Sequence, residues 1–259
     1  MRDQLEDAHK HRDDGYGRAQ HLNTVELPKR FYTEVAAGPV DGGFVVTLDG
    51  RQVRTPGKKL PVIVPAADIA TTMAEEWAVQ GEFIDPATMP MVRLVNSAVE
   101  SGEEMIPAFR DEIIKFASSD LLLYRAESPQ ELVSEQEVVW DNALTTLARH
   151  FGLSFQPTMG IMHQPQPKAT LDRLAEALTG ENLLVYTALV SIAGLTGSGL
   201  LAIGLWHKLF SPDLVWKAAH IDEDYQISQW GEDEEAAERR AKRREEFHAA
   251  VAVLDALRS

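Results

Sequence analysis

Alternating apolar and polar residues near the start of the chain predict a β hairpin. Phe44, Val46 and Leu48 share one face of the predicted strand. Asp49-Gly50 follows, and this dipeptide is a strong signal for a two-residue hairpin turn. Neighbouring runs of branched residues extend the pattern to an antiparallel β meander with strands at 31–36, 44–48, 51–55 and 60–64. Further turns are expected at Gly38-Pro39, at 41–43 and at Pro56-Gly57.

The apolar spacing changes to a helical period after Pro65. Ile69, Met73 and Trp77 fall on one face of the first predicted helix. Further helices are predicted at 89–101, 103–118, 129–151, 169–178, 183–210 with a break at its glycines, 212–229, and from Glu232 onward. The fold class is therefore α+β, with a small N-terminal antiparallel β meander followed by a larger C-terminal α-helical domain.

We expect three regions along the chain. Residues 1–29 form a flexible N-terminal tail, in which His9 and His11 are expected to be solvated. Residues 30–65 form the β-rich domain, which in one alternative also includes the helix at 66–80. Residues 81–259 form the helical domain. Within it, 120–124 fits either a strand or a helical turn, and 152–168 is an extended connector.

The composition limits what the protein binds. The chain has 40 acidic and 25 basic residues, a formal net charge of −15, so nucleic acid and anionic lipid are not expected partners. It contains no cysteine, which excludes disulfides, thiolate metal sites and cysteine nucleophiles. The uncharged stretch from Leu183 to Trp206 is long enough to cross a bilayer. Glycines and hydroxyl residues interrupt it, however, so we expect buried helices and no membrane insertion.

Patterns associated with catalysis and cofactors are missing. The glycine-rich run 194–199 follows no strand and precedes no lysine, which favours close helix packing over phosphate binding. His163, His207 and His220 lack the spacing of a zinc site. We therefore expect no catalytic residue, no cofactor and no metal. A basic patch at Arg51, Arg54, Lys58 and Lys59 is expected to form internal salt bridges or part of an interface, with anion binding as the alternative.

The segment 222–235 combines aromatic and acidic residues at the junction of two predicted helices. Gly231 is expected to end the first helix, and the carboxylates at 232–235 suit the positive end of the second. We expect Trp230 to pack beneath the bend. In the alternative, Trp230 or Tyr225 anchors a partner protein.

Short motifs distributed over about 30–244 resemble one protein family, the assembly chaperones of the ATP synthase α subunit (assembly factor 2, or Atp-twelve). The resemblance rests on the order and spacing of these motifs: Arg30-Phe31-Tyr32, Gly42-Gly43-Phe44, Leu48-Asp49, Thr55-Pro56, Glu76-Trp77, Asp120, Tyr124-Arg125, Leu132, Trp140-Asp141, Tyr225-Gln226-Ile227 and Trp230-Gly231.

This resemblance implies a chaperone without enzymatic activity. Such proteins bind the unassembled α subunit transiently and prevent its aggregation before the β subunit joins. The acidic residue held important after the Trp-Gly pair falls on Glu234. A second falls on Glu238, where an aspartate is expected, and Glu235-Ala236-Ala237 replaces the Trp-Ala-His of the family. The client-binding candidates are therefore Glu234, Glu238, Trp230 and Tyr225.

The resemblance also bears on location and oligomeric state. Eukaryotic members are mitochondrial, and this chain lacks a matching leader, so we expect a monomer in the bacterial cytoplasm. The alternatives are a small-molecule enzyme that uses the Arg51 and Arg54 region, and a stable accessory subunit of ATP synthase.

Overall fold

A computed structural model describes residues 26–258. Residues 1–25 and 259 lie outside it, and so do His9, His11 and most of the predicted tail. The contacts among Cα atoms divide the described chain into two compact units. The smaller contains 26–31 and 79–85, and the larger contains 32–78 and 86–258. In the smaller unit Lys29 and Phe83 form an antiparallel bridge, and Arg30 N–H donates to the Glu82 carbonyl at 2.8 Å.

The predicted meander is confirmed as a three-stranded antiparallel sheet of β1 (Val35–Val40), β2 (Gly43–Leu48) and β3 (Arg51–Gln52). The turn between β2 and β3 is Asp49-Gly50, as predicted. Both residues have positive φ, 48° and 75°. This conformation suits the right-handed twist of the two strands and explains the preference for aspartate and glycine there.

The first predicted strand is wrong in position, and the last predicted strand does not form. Strand β1 begins four residues later than expected and runs through Gly38-Pro39, the predicted turn, to a turn at 41–42. Pro39 is tolerated because β1 is an edge strand, where a missing N–H need not break the ladder. The run 60–64 forms only isolated bridges, which join Val64 to Phe44 and Pro61 to Arg54.

Helices make up most of the larger unit, which confirms the α+β class. They are α1 (Ala67–Ala78), α2 (Pro90–Ser101), α3 (Ile106–Ser118), α4 (Gln130–Gln136), α5 (Asn142–Phe151), α6 (Lys168–Ala177), α7 (Leu183–Thr196), α8 (Gly199–Trp206), α9 (Pro212–Ala219), α10 (Ile221–Trp230) and α11 (Glu234–Arg258). A π turn, Glu137–Asp141, joins α4 to α5. The undecided segment 120–124 is a 3-10 turn, Leu121–Leu123, that leads into β4 (Tyr124–Arg125), which pairs in parallel with β5 (Thr158–Met159).

Helix α7 lies at the centre of the helical packing. It contacts α2, α3, α8, α9 and α11, and most of its side chains are buried. This explains why the stretch from Leu183 to Trp206 carries no charge. The expected break falls at Gly197 and Ser198, and no helix in the described part of the chain is long and apolar enough to span a membrane.

Two carboxylates, one half-buried and one buried, cap helices to which they do not themselves belong. Glu76 of α1 accepts hydrogen bonds from the N–H groups of Met91 and Val92, both at 2.8 Å, at the start of α2. Asp120 accepts from Ser198 Oγ at 2.7 Å and from Leu200 N–H at 2.9 Å, at the start of α8. These bonds satisfy N–H groups that a helix terminus leaves without an intrahelical partner.

Candidate functional site

The segment singled out in the sequence forms a sharp bend between α10 and α11. Helix α10 ends at Gly231, whose φ of 84° is accessible to glycine and whose N–H donates to the Ile227 carbonyl at 2.8 Å. Asp233 then caps α11, because its carboxylate accepts from Ala236 N–H at 2.9 Å. The expected helix-ending glycine and the acidic start of the last helix are both confirmed.

A second break, which the sequence did not predict, sets the direction of α10. The predicted helix at 212–229 is interrupted at His220, which is 1% exposed and whose ring stacks on Trp216 with centroids 4.0 Å apart. His220 Nδ1–H donates to the Trp216 carbonyl at 2.7 Å, so its Nε2 accepts from Arg243 at 3.3 Å. Burial lowers the pKa of His220, and the nearby arginines lower it further, which keeps the imidazole neutral.

Contacts from α4 and the π turn fix the end of α9 and the start of α10. The buried side chain of Gln136 donates to the Asp222 carboxylate at 2.6 Å and accepts from Ala126 N–H at 2.8 Å. Trp140 is buried next to it and donates its indole N–H to the Ala218 carbonyl at 2.8 Å. The bend is therefore supported by residues far from it in sequence.

An ion pair holds the two helices of the bend together. The Arg240 guanidinium of α11 pairs with the Asp224 carboxylate of α10, and the Arg240 side chain is only 20% exposed. One turn further along α11, Arg243 donates to the Leu195 carbonyl at 2.9 Å. These contacts fix α11 against α10 and α7 and leave a cleft between the helices nearer the bend.

This cleft, which we call the bend cleft, has a volume of about 300 Å³. It is lined by Glu223, Gln226, Ile227, Trp230, Gly231, Glu232, Asp233, Ala236, Ala237 and Arg240. The expectation that Trp230 is buried is wrong, since the residue is 80% exposed. Ala236 and Ala237 of α11 line the same cleft, and their side chains are too short to cover an indole ring.

The structure does not bring the four predicted client-binding residues together. Trp230 lines the bend cleft. Glu234 and Glu238 are exposed and lie one turn apart on a face of α11 that does not line it. Tyr225 is half-buried and lies on the face of α10 opposite the residues that line the cleft.

A second apolar surface was missed by the sequence analysis. In the connector after α5, Met159, Ile161 and Met162 are 64%, 95% and 76% exposed. The loop that carries them is attached through the β4–β5 pairing, and Gly160 N–H donates to the Arg125 carbonyl at 2.9 Å. The sequence did contain a signal for this surface, namely apolar residues within a proline-rich connector. Such a segment lies outside the helical packing, so its apolar side chains tend to stay exposed.

The predicted basic patch is partly used to hold a turn. Arg54 donates to the Lys59 carbonyl at 2.9 Å, and the Lys58 ammonium donates to the Glu100 carbonyl. The Glu100 carboxylate in turn accepts from the N–H groups of Gly57 and Lys58. Arg54 and Lys58 thus make internal hydrogen bonds to carbonyl oxygens and not the internal salt bridges that were expected. Between residues 26 and 258, no three His, Asp or Glu side chains are grouped so as to hold a metal ion.

Known proteins share this architecture. A solved structure from Agrobacterium tumefaciens, described as a candidate chaperone, superposes with a TM-score of 0.84 and is 39% identical over 93% of this chain and 90% of that one. Atp12 from Paracoccus denitrificans has a TM-score of 0.79 and 31% identity, and the match covers 88% of this chain and 97% of its own. The mitochondrial protein atp12 of Schizosaccharomyces pombe is 22% identical and is matched over 76% of its length, by 81% of this chain.

The fold thus defines an α+β protein of the chaperone type. The profile of the family described as ATP12 chaperone protein matches residues 29–148. With the 31% identity to Atp12 over nearly all of that protein, this shows that the chain belongs to the ATP12 chaperone family, which acts in ATP synthase assembly. The bend lies outside the profile match.

Proposed function

We propose that this protein binds the unassembled α subunit of the ATP synthase catalytic sector and keeps it from aggregating until the β subunit joins. Family membership supports the proposal most strongly, because the match to Atp12 extends over 88% of this chain and 97% of that protein. The α subunit as the specific client rests on the family resemblance of the motifs at 30–244.

The surface of the larger unit suits such a client. A protein that shields an assembly interface must offer apolar contact area, and Ile161, Met162 and Trp230 are each more than three-quarters exposed. Methionine side chains adapt to irregular partners, which favours a surface that binds and later releases a subunit. The exposed carboxylates of Glu234 and Glu238 add orientation and association rate more than affinity.

Further properties belong to the same proposal. The protein acts without catalysis, as a monomer in the bacterial cytoplasm, and leaves the client when assembly proceeds. Residues 30–65, with or without the helix at 66–80, and residues 81–259 serve as its β-rich and helical domains. The related Schizosaccharomyces pombe protein is mitochondrial, so the proposed compartment of this protein differs from that of its relative.

Co-expression with the cognate α subunit tests the proposal. We expect more α subunit in the soluble fraction with this protein than without it, and a complex of the two on gel filtration. A co-expressed unrelated acidic protein of similar size is the control. If α solubility is unchanged and no complex elutes, the proposed function is wrong. Retention of this protein in purified, assembled ATP synthase would instead support a stable accessory subunit.

A further inference from the structure

The bend cleft combines an aromatic wall, an apolar floor and an acidic rim. Trp230 forms the wall and is 80% exposed, although it lines a cavity of about 300 Å³. Ile227 from α10 and Ala236 and Ala237 from α11 form the floor. The rim carries carboxylates, which belong to Glu223, Glu232 and Asp233. This volume suits a single side chain of a partner protein, because a docked helix needs a longer groove.

The charge inside the cleft is negative after its ion pairs are counted. Arg240 is the cation that lines it, and the Asp224 carboxylate neutralises it. Glu223 lies 4.0 Å from Arg243 and 3.9 Å from His220, whose lowered pKa leaves it uncharged. Within residues 26–258 no ion-pair partner of Glu232 is found. The cleft therefore favours a cation over an anion.

The helix terminus at the cleft offers no strong anion site either. Ala236 and Ala237 contribute two of the N–H groups that lie at the cleft near the start of α11. They already donate to the Asp233 carboxylate and the Asp233 carbonyl, each at 2.9 Å. An acidic side chain in the cleft would also meet the carboxylate of Asp233, which repels it.

We propose that the bend cleft binds an arginine side chain of the client protein. This proposal rests on the proposed function, which supplies the client protein. The aliphatic stem of an arginine packs on Ile227 and the alanines, and its planar guanidinium lies against the Trp230 ring. The guanidinium then donates to the rim carboxylates with its several N–H groups. Lysine fits less well, because its compact ammonium is strongly hydrated and does not stack on a ring.

A small probe tests the cleft without the client. In ¹⁵N-labelled protein, N-acetylarginine amide should shift the indole N–H resonance of Trp230, assigned with Trp230→Phe, and leave those of Trp77 and Trp140 in place. N-acetylcitrulline amide has nearly the same shape without the charge, and it should bind about fivefold more weakly.

Glu232→Gln should reduce the arginine affinity, whereas Glu245→Gln, on an exposed face of α11 away from the cleft, should not. Equal binding of arginine and citrulline, or tighter binding of N-acetylleucine amide, would overturn the assignment.

Measurement of the complex separates this inference from the proposed function. Trp230→Ala should weaken binding of the purified α subunit about tenfold, as expected for loss of an interface anchor. If the α subunit binds the wild-type protein and Trp230→Ala equally well, the arginine site is wrong and the chaperone function stands. If the wild-type protein does not bind the α subunit at all, the proposed function is wrong, whatever the arginine probe shows.

Discussion

At the scale of single residues, the motifs that resemble the family have mainly structural roles. Glu76 caps α2 and Asp120 caps α8. Arg125 pairs with Asp141, and its guanidinium lies 5.1 Å from the centre of the Trp140 ring. These residues hold helices against one another. The order of the motifs along the chain is therefore an indication of the fold. We propose that the client is bound by exposed residues near the bend and in the connector, such as Trp230 and Ile161.

The buried carboxylate of Asp120 gives a prediction for stability against pH. Burial raises its pKa from 3.8 to about 7, against the hydrogen bonds from Leu200, Ser198 and Leu122 that favour the ionised form. In the unfolded chain the group ionises near pH 4, so between about pH 4 and 7 the folded state holds a proton that the unfolded state has lost. The contribution of Asp120 to the free energy of unfolding is therefore full at low pH and falls as the pH rises to 7.

Urea unfolding of the wild-type protein and Asp120→Asn at pH 5 and pH 8 measures this contribution. The wild-type protein should lose more stability between the two pH values than the variant. At both values the variant should be less stable, by about 1–3 kcal/mol, because an amide cannot accept from all three donors. The same pH slope in both proteins would show that Asp120 does not titrate in this range.

Glu234 gives a prediction for binding that is separate from stability. The side chain is exposed in the first turn of α11, and the cap of that helix is supplied by Asp233. Glu234→Ala should therefore change the free energy of unfolding by less than about 1 kcal/mol and weaken the complex with the α subunit. Glu245→Ala, on the same helix face three turns on, is the control. A large drop in melting temperature with unchanged binding would assign Glu234 a helix-stabilising role instead.

At the scale of elements, glycine determines how closely α8 approaches α3. A Cβ on Gly199 would lie 2.4 Å from the Ile113 carbonyl oxygen and 2.7 Å from Ala117 N, both backbone atoms of α3. The expectation that the glycine-rich run serves helix packing is therefore confirmed at Gly199. A Cβ on Gly194, within α7, would have no neighbouring atom within 4 Å.

Substitution of these two glycines should have opposite effects. Gly199→Ala must push the helices apart and should destabilise the protein by about 1–3 kcal/mol. Gly194→Ala meets open space and should stabilise it by up to about 1 kcal/mol, because alanine favours a helix. Thermal unfolding of both variants provides the comparison. If Gly199→Ala melts at or above the wild-type temperature, the close packing of α8 on α3 is not as described.

Element boundaries were predictable where local chemistry determines them. Asp49-Gly50 and Gly231 act through their own backbone conformations, and both predictions were confirmed. Gly38-Pro39 looked like a turn but lies in β1, because its place at the edge of the sheet overrides the local preference. The break at His220 was missed, since it depends on burial of that ring between Trp216 and Arg243, which are contributed by two helices.

At the scale of the whole molecule, the sequence predicted the fold class and the central place of the uncharged helices. Both follow from the apolar period and from the length of the uncharged stretch. The exposure of Trp230 and of the Met159–Met162 loop could not be predicted in this way, because it depends on which helices pack together and on how large their facing side chains are. The exposed apolar surface was thus identified from the structure and not from the sequence.

We propose above all that this protein keeps the α subunit of ATP synthase from aggregating. Light scattering after dilution of denatured α subunit into buffer tests it most directly. We predict that the scattering falls as this protein is added and levels off near a stoichiometric amount, and that an equal amount of albumin leaves it unchanged. Scattering that is the same with and without this protein would show that it does not protect the α subunit.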